Sequence, residues 1–216
     1  MTIFNFEDNE FYYEIEGQGP PLVLAHPYMS STTHWHKSGW VDILNKNNTL
    51  IMFDYTGHGK SSCPNKIENY YISYVSEVII KILNENNIDN FSIFGFSMGG
   101  RICYELIRKY NERINSMIIG GMHSKPPSSH KKIISYKEEN LSPIVKEKFD
   151  LNGLKLSIEA QDEWEGAEDI ISNYLNPCLL FAGSEAPYYN WIESSADKFK
   201  DSELLKLDGL GHIGAF

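Results

Sequence analysis

Ile93-Phe-Gly-Phe-Ser-Met-Gly-Gly-Arg101 closes an apolar run, opens a helical pattern and sets Ser97 between two glycines. A strand that passes directly into a helix folds back so sharply that side chains two before and two after the turn collide. Glycine removes the colliding Cβ atoms, and Gly95 and Gly99 occupy those two positions. Ser97 is then pushed outward over the helix N-terminus, where a nucleophile is well placed.

Outward from this turn the chain alternates strand and helix. Thr2 to Phe6 and Glu10 to Glu16 alternate apolar and polar residues around Glu7-Asp8-Asn9, as an antiparallel hairpin at a sheet edge does. Pro21 to Ala25, Thr49 to Phe53, Phe91 to Gly95, Ser116 to Gly120 and Cys178 to Ala182 are short apolar runs suited to strands covered on both faces. Between them Tyr71, Tyr74, Val75, Val78, Ile79 and Ile82 recur at helical spacing, as do Ile102, Leu106 and Tyr110. The prediction is an α/β fold: a mostly parallel twisted sheet with an N-terminal antiparallel hairpin and helices on both faces. Ligands of such sheets bind beyond the carboxyl ends of the strands, which is where Ser97 falls.

At 216 residues the chain suits one core with a small insertion. Composition changes between Met122 and Asn176, so residues 123–170 read as an inserted cap over a core formed by 1–122 and 171–216; a disordered excursion is an alternative for residues 125–135. A net charge of −10, with no lysine and arginine block, argues against nucleic acid or anionic lipid as partners. Met1 to Asp8 is not a basic region followed by an apolar stretch, and no apolar run approaches the roughly 20 residues that cross a bilayer. A soluble cytoplasmic protein is expected. Cys63, Cys103 and Cys178 are widely separated without metal-ligand spacing, and reduced thiols are the expectation. With no phosphate loop, metal cluster or dinucleotide fingerprint in the sequence, no cofactor and no metal are expected.

A serine hydroxyl needs a base to take its proton, and histidine titrates near neutrality. Of seven histidines, His212 in Leu207-Asp-Gly-Leu-Gly-His-Ile213 follows the short stretch Glu203 to Leu207, in a glycine-rich loop at the carboxyl end of an expected strand. Serine first and histidine last is a recognised order for such pairs.

Together these stretches resemble the α/β-hydrolase fold superfamily over nearly the whole chain. The resemblance rests on Gly95-Phe-Ser-Met-Gly-Gly100, on the Gly-His212 loop and on Asp54-Tyr-Thr-Gly-His-Gly-Lys-Ser61, which looks like the glycine-rich turn that precedes the nucleophile strand. Within that turn His58 and Ser61 read as structural. Leu24-Ala-His-Pro-Tyr-Met29 occupies the place of the family's His-Gly oxyanion turn, with Pro27 where glycine is usual. Proline has no N–H to offer, so the resemblance points to the amides of Tyr28 and Met98 as the oxyanion hole; the other reading of His26-Pro27 is a rigid turn only.

The resemblance also implies an acid after the strand at Cys178 to Ala182, in the pattern Gly-x-x-Asp. Here Gly183-Ser-Glu-Ala186 puts alanine in that place and Glu185 one residue early. Glu185 is the expected orienting acid, with a solvated loop carboxylate as the alternative. Only four residues follow His212, where the family commonly adds a bracing helix; the histidine loop is therefore expected to fray, and a homodimer contact would be one way of steadying it. Phe96, Met29, Met122 and Tyr188 belong to loops expected to line an apolar substrate pocket. The resemblance thus implies a serine hydrolase acting on a small-molecule acyl substrate, an ester, thioester or relative. Other chemistry on the same scaffold (aminopeptidase, lactonase, carbon–carbon hydrolase) and a catalytically impaired binding protein stay open.

Overall fold

The N-terminal alternation forms the hairpin it predicts. β1 (Thr2–Phe6) and β2 (Asn9–Gly17) pair antiparallel, and β2 continues antiparallel onto β4 (Thr49–Phe53). From there the sheet is parallel: β3 (Pro21–Ala25), β5 (Phe91–Phe96), β6 (Ile114–Gly120), β7 (Cys178–Gly183) and β8 (Ser202–Leu207) complete eight strands in the order β1-β2-β4-β3-β5-β6-β7-β8. This computed structural model describes residues 2–127 and 138–216. The reading of residues 125–135 as an excursion falls mostly outside the described residues.

Strand alternation builds two cores. Val23, Ile51 and Ile93 face a layer in which α3 (Ile72–Glu85) and α4 (Met98–Tyr110) bury Val75, Val78, Ile79, Ile82, Ile102 and Leu106. Leu22, Leu24, Leu50, Met52, Phe94 and Phe96 face the other way, onto Trp35 of α1 (Thr32–Lys37) and Val41 of α2 (Trp40–Leu44). Helices therefore lie on both faces, as expected. The second face is thinly covered towards β8: Leu205, paired with Phe181 across the strands, remains 50% exposed. Between β6 and β7 run α5 (Pro143–Lys148) and α6 (Leu151–Asp162), and α7 (Tyr189–Ala196) joins β7 to β8. Asp150 caps α6 by accepting the Gly153 N–H, and Gly153 lies against Gly57, so α6 rests on the Asp54–Ser61 turn. Among the described residues no helix is long and apolar enough to cross a membrane.

Asp54, directly after β4, ties the loops at this end of the sheet together. Its carboxylate accepts the N–H of Thr32 at the start of α1 (2.7 Å) and the N–H of Lys60 (2.9 Å). Gly59 has φ +55, and a Cβ there would lie 2.0 Å from Asp54 Oδ2, so only glycine admits the carboxylate. Burial raises the Asp54 pKa, and the two backbone donors counteract it. Ser61 Oγ donates to the Asp54 carbonyl (2.6 Å) and accepts the Tyr12 N–H (2.9 Å), which gives this serine the structural part expected of it. Asp54→Ala leaves two amides without their acceptor, and a loss of about 3 kcal/mol in urea unfolding is expected, with the denaturant slope unchanged.

Candidate active site

Ser97 ends β5 and begins α4 with φ 55 and ψ −115, a left-handed conformation in a non-glycine residue that costs on the order of 1–3 kcal/mol. The flanking glycines make it feasible. A Cβ on Gly99 would lie 1.9 Å from the Ala25 carbonyl oxygen, and one on Gly95 would lie 2.2 Å from the Gly99 oxygen. The Ser97 N–H donates to Gly120 O (2.8 Å), and its carbonyl accepts from Gly100 and Arg101, so the backbone is fixed on both sides of the turn.

His212 completes a pair. Its Nε2 lies 3.1 Å from Ser97 Oγ, within hydrogen-bond distance. Burial lowers the His212 pKa by penalising the imidazolium, and no charged group among the described residues acts to raise it. Gly121 lies beside the ring: a Cβ there would be 3.0 Å from Nδ1, so only glycine admits the imidazole this close.

Glu185 does not reach His212. Its side chain is exposed and forms no ion pair or hydrogen bond with the imidazole, whereas Ala186 is buried in the cavity wall with His212. The cause is the turn itself. Ser184 N–H bonds to Leu207 O (2.9 Å) and Glu185 N–H to Leu210 O (3.0 Å), which fixes the backbone so that the residue after Glu185 faces inward. The extra methylene of glutamate does not overcome that direction.

The expected fraying of the histidine loop also gives way to a tethered arrangement. Gly209 N–H bonds to Ser184 Oγ (2.9 Å), and Trp40 Nε1–H donates to Phe216 O (3.2 Å). The Phe216 ring packs 4.8 Å from Phe96 and 5.1 Å from Trp35. Phe216 thus braces the histidine loop against the second core.

A cavity of about 260 Å³ opens in front of the pair, its wall including Tyr28, Met122, Tyr188, Ala186, Ile192 and Ile213. Met122 and Tyr188 line it as expected, but Phe96 and Met29 do not. Phe96 is 2% exposed and packs behind His212 at 5.2 Å, because strand alternation turns it into the second core. Met29, at φ 56, is held by its N–H to His58 Nε2 (3.3 Å). His58 is buried, its Nδ1–H donates to Thr56 O (3.1 Å), and burial takes its pKa down to about 4, so it is a neutral brace under the loop carrying Tyr28. Tyr28 Oη–H in turn donates to Leu154 O (2.8 Å) on α6. Met98 N–H is the first amide of α4 and has no acceptor within the helix.

Arg101 also belongs to this wall, together with Gln161 and Asp162 from α6. It stood in the motif without a role, and its signal was position: one helical turn after Ser97 it shares the nucleophile's side of α4. A group outside the cavity, Glu14, Glu16 and His36, brings ligand atoms within 4.8 Å of one another. His36 Nε2 is 2.8 Å from Glu14 Oε2, so the histidine already has a hydrogen-bond partner within the group.

A family model described as alpha/beta hydrolase fold matches residues 20–140. The chain is 31% identical over 102 residues to a pimeloyl-acyl-carrier-protein methyl ester esterase of Aeromonas hydrophila, a stretch covering 47% of this chain and 37% of that protein. It is 26% identical over 133 residues to 3-oxoadipate enol-lactonase 2 of Acinetobacter baylyi, covering 58% of this chain and 48% of the relative. In both cases the match spans less than half of the relative's length. The solved enol-lactonase of Burkholderia xenovorans superposes with a TM-score of 0.81 at 18% identity, over 98% of this chain and 93% of its own, a likeness of fold alone.

Among the described residues no charged group supports the His212 imidazolium, and this has a measurable consequence. With burial acting alone, the imidazole stays neutral below its ordinary 6.5, and an NMR titration of the His212 ring is expected to show a midpoint under that value. Ala186→Asp supplies an anion that favours the imidazolium, so the midpoint moves upward; an unchanged or lower midpoint means that position 186 does not address the ring.

Proposed function

The chain belongs to the α/β-hydrolase fold family, and on that premise we propose that it is a serine hydrolase cleaving a small carboxylic ester, thioester or related acyl substrate. One observation carries the reading: Ser97, held at positive φ, has His212 Nε2 3.1 Å from its hydroxyl at the wall of a mainly apolar cavity. Ser97 Oγ forms a bond to the substrate's carbonyl carbon as His212 takes the hydroxyl proton. The amides of Tyr28 and Met98 receive the negative charge on the carbonyl oxygen. Collapse of this intermediate breaks the bond to the leaving group, which departs with the proton from His212. Water then repeats the sequence on the acyl-serine and frees the acid.

The missing acid bears on the rate of this cycle. In a triad the acid holds the histidine tautomer and supports the imidazolium, and loss of that function costs about 10⁴ in turnover. Here His212 forms its cation in a buried place without an anion, so proton transfer is uphill in both half-reactions. The same observation favours a second reading, in which the protein captures acyl groups and releases them slowly.

A fluorophosphonate probe is expected to label the protein once, at Ser97, and Ser97→Ala to abolish both labelling and 4-nitrophenyl acetate hydrolysis. Residual hydrolysis in that variant refutes the serine mechanism. In rapid-mixing experiments the wild type should give a burst of about one nitrophenol per chain followed by slow turnover. Ala186→Asp should raise the steady rate at least about tenfold.

A further inference from the structure

The cavity wall contains a cation that the hydrolytic pair does not use. Arg101 lies one turn beyond Ser97 on α4, about 6 Å along the helix, and its guanidinium meets the cavity. A guanidinium carries five N–H donors. Arg101 spends one on Gln161 Oε1 (Nη1–H, 3.0 Å). Its Nε is buried without an acceptor, and among the described residues its Nη2 forms no hydrogen bond. The ring of Trp164 lies 5.7 Å from the guanidinium and offers only a π face. Asp162 shares the wall and acts on Arg101 through space, but no ion pair joins them. Burial accordingly draws the Arg101 pKa down to about 10, against the smaller opposing effect of Asp162, and the group stays charged at neutral pH.

Buried cations in proteins are ordinarily paired, because a desolvated charge without an acceptor costs several kcal/mol. Much of the wall is apolar, with Met122, Ile158, Ile192, Pro187 and Ala186, while Tyr28, Tyr188 and Asp162 are its other polar members besides the hydrolytic pair and Gln161. A guanidinium with an unpartnered Nε in the wall of a mainly apolar cavity, with Ser97 in the same wall, fits a molecule with a carbonyl at one point and an anion a few bonds away. We propose that Arg101 is a specificity residue and that the substrate carries a carboxylate besides its scissile bond, bound by the Nη2 edge of Arg101 while the carbonyl faces Ser97. This rests on the serine-hydrolase reading for the chemistry, but the carboxylate subsite can be measured without turnover.

Calorimetry on Ser97→Ala protein, which cannot acylate, compares monomethyl glutarate with its neutral counterpart, dimethyl glutarate. A charge-assisted hydrogen bond predicts that the monoanion binds about 10- to 100-fold more tightly. Adding Arg101→Met should erase that preference and Arg101→Lys should retain part of it, with circular dichroism verifying the fold of each variant. Equal binding of the two ligands to the Ser97→Ala protein overturns the proposal without any Arg101 variant, and a preference that survives in folded Arg101→Met assigns it to other cations and overturns it as well. With the preference in hand, the wild type should hydrolyse 4-nitrophenyl hydrogen glutarate with a higher kcat/KM than 4-nitrophenyl valerate. If the preference in binding holds but neither ester is hydrolysed and Ser97 resists the fluorophosphonate, the serine-hydrolase reading fails while the carboxylate subsite stands.

Discussion

The close approach of α4 to β3 is the constraint on which the rest of this site depends. With Gly99 pressed so near the Ala25 carbonyl that a Cβ would lie 1.9 Å away, the strand-to-helix turn has room for a single backbone path. That path forces Ser97 into positive φ and points its hydroxyl at the ends of the neighbouring strands. The same contact sets the start of α4 against the end of β3, so the proposed nucleophile and oxyanion donors share one origin. Strain of about 1–3 kcal/mol at Ser97 is sustained because the apolar layers on both faces of the sheet hold the elements in place.

Around this turn the loops brace one another through buried polar contacts. Asp54 collects amides from α1 and from the Gly57–Lys60 turn, His58 holds Met29, and Tyr28 is tied to α6. Each of these side chains is satisfied by backbone, which suits fixed scaffolding; a group meant to act on a substrate keeps an open edge. By that distinction His58, locked neutral between Thr56 and Met29, is framework, whereas His212 and Arg101 face the cavity. The histidine loop is positioned by the turn after β7 and by Phe216, without a carboxylate to steady its charge. The Ser97–His212 contact is thus in place, while among the described residues no charged group supports a cation on His212.

Much of the fold was legible because its signals are local. Alternation in Thr2 to Glu16, short apolar runs and glycines around Ser97 each report backbone geometry that neighbouring residues enforce, and the hairpin, the parallel strands and the elbow formed where they pointed. Ser97 and His212 were legible for the same reason. Phe96 and Met29 were misplaced because membership of a loop near the serine says nothing of direction: one residue of strand alternation sends Phe96 to the core. Arg101 has no such local signal, because its setting depends on α6, some sixty residues away, whose Gln161 accepts its Nη1–H.

The sequence by itself determined the order of strands and helices, the sharp turn at Ser97 and the pairing of a serine with a late histidine. These follow from sterics and periodicity, which act over a few residues. Only the tertiary structure decided which side chains enter the cavity. It turned Ala186 inward and left Glu185 in solvent, because hydrogen bonds from Ser184 and Glu185 to the histidine loop fix that turn's direction. It also buried the Arg101 guanidinium in the cavity wall with its Nε unpartnered, since the burial of a charge depends on every element that packs around it.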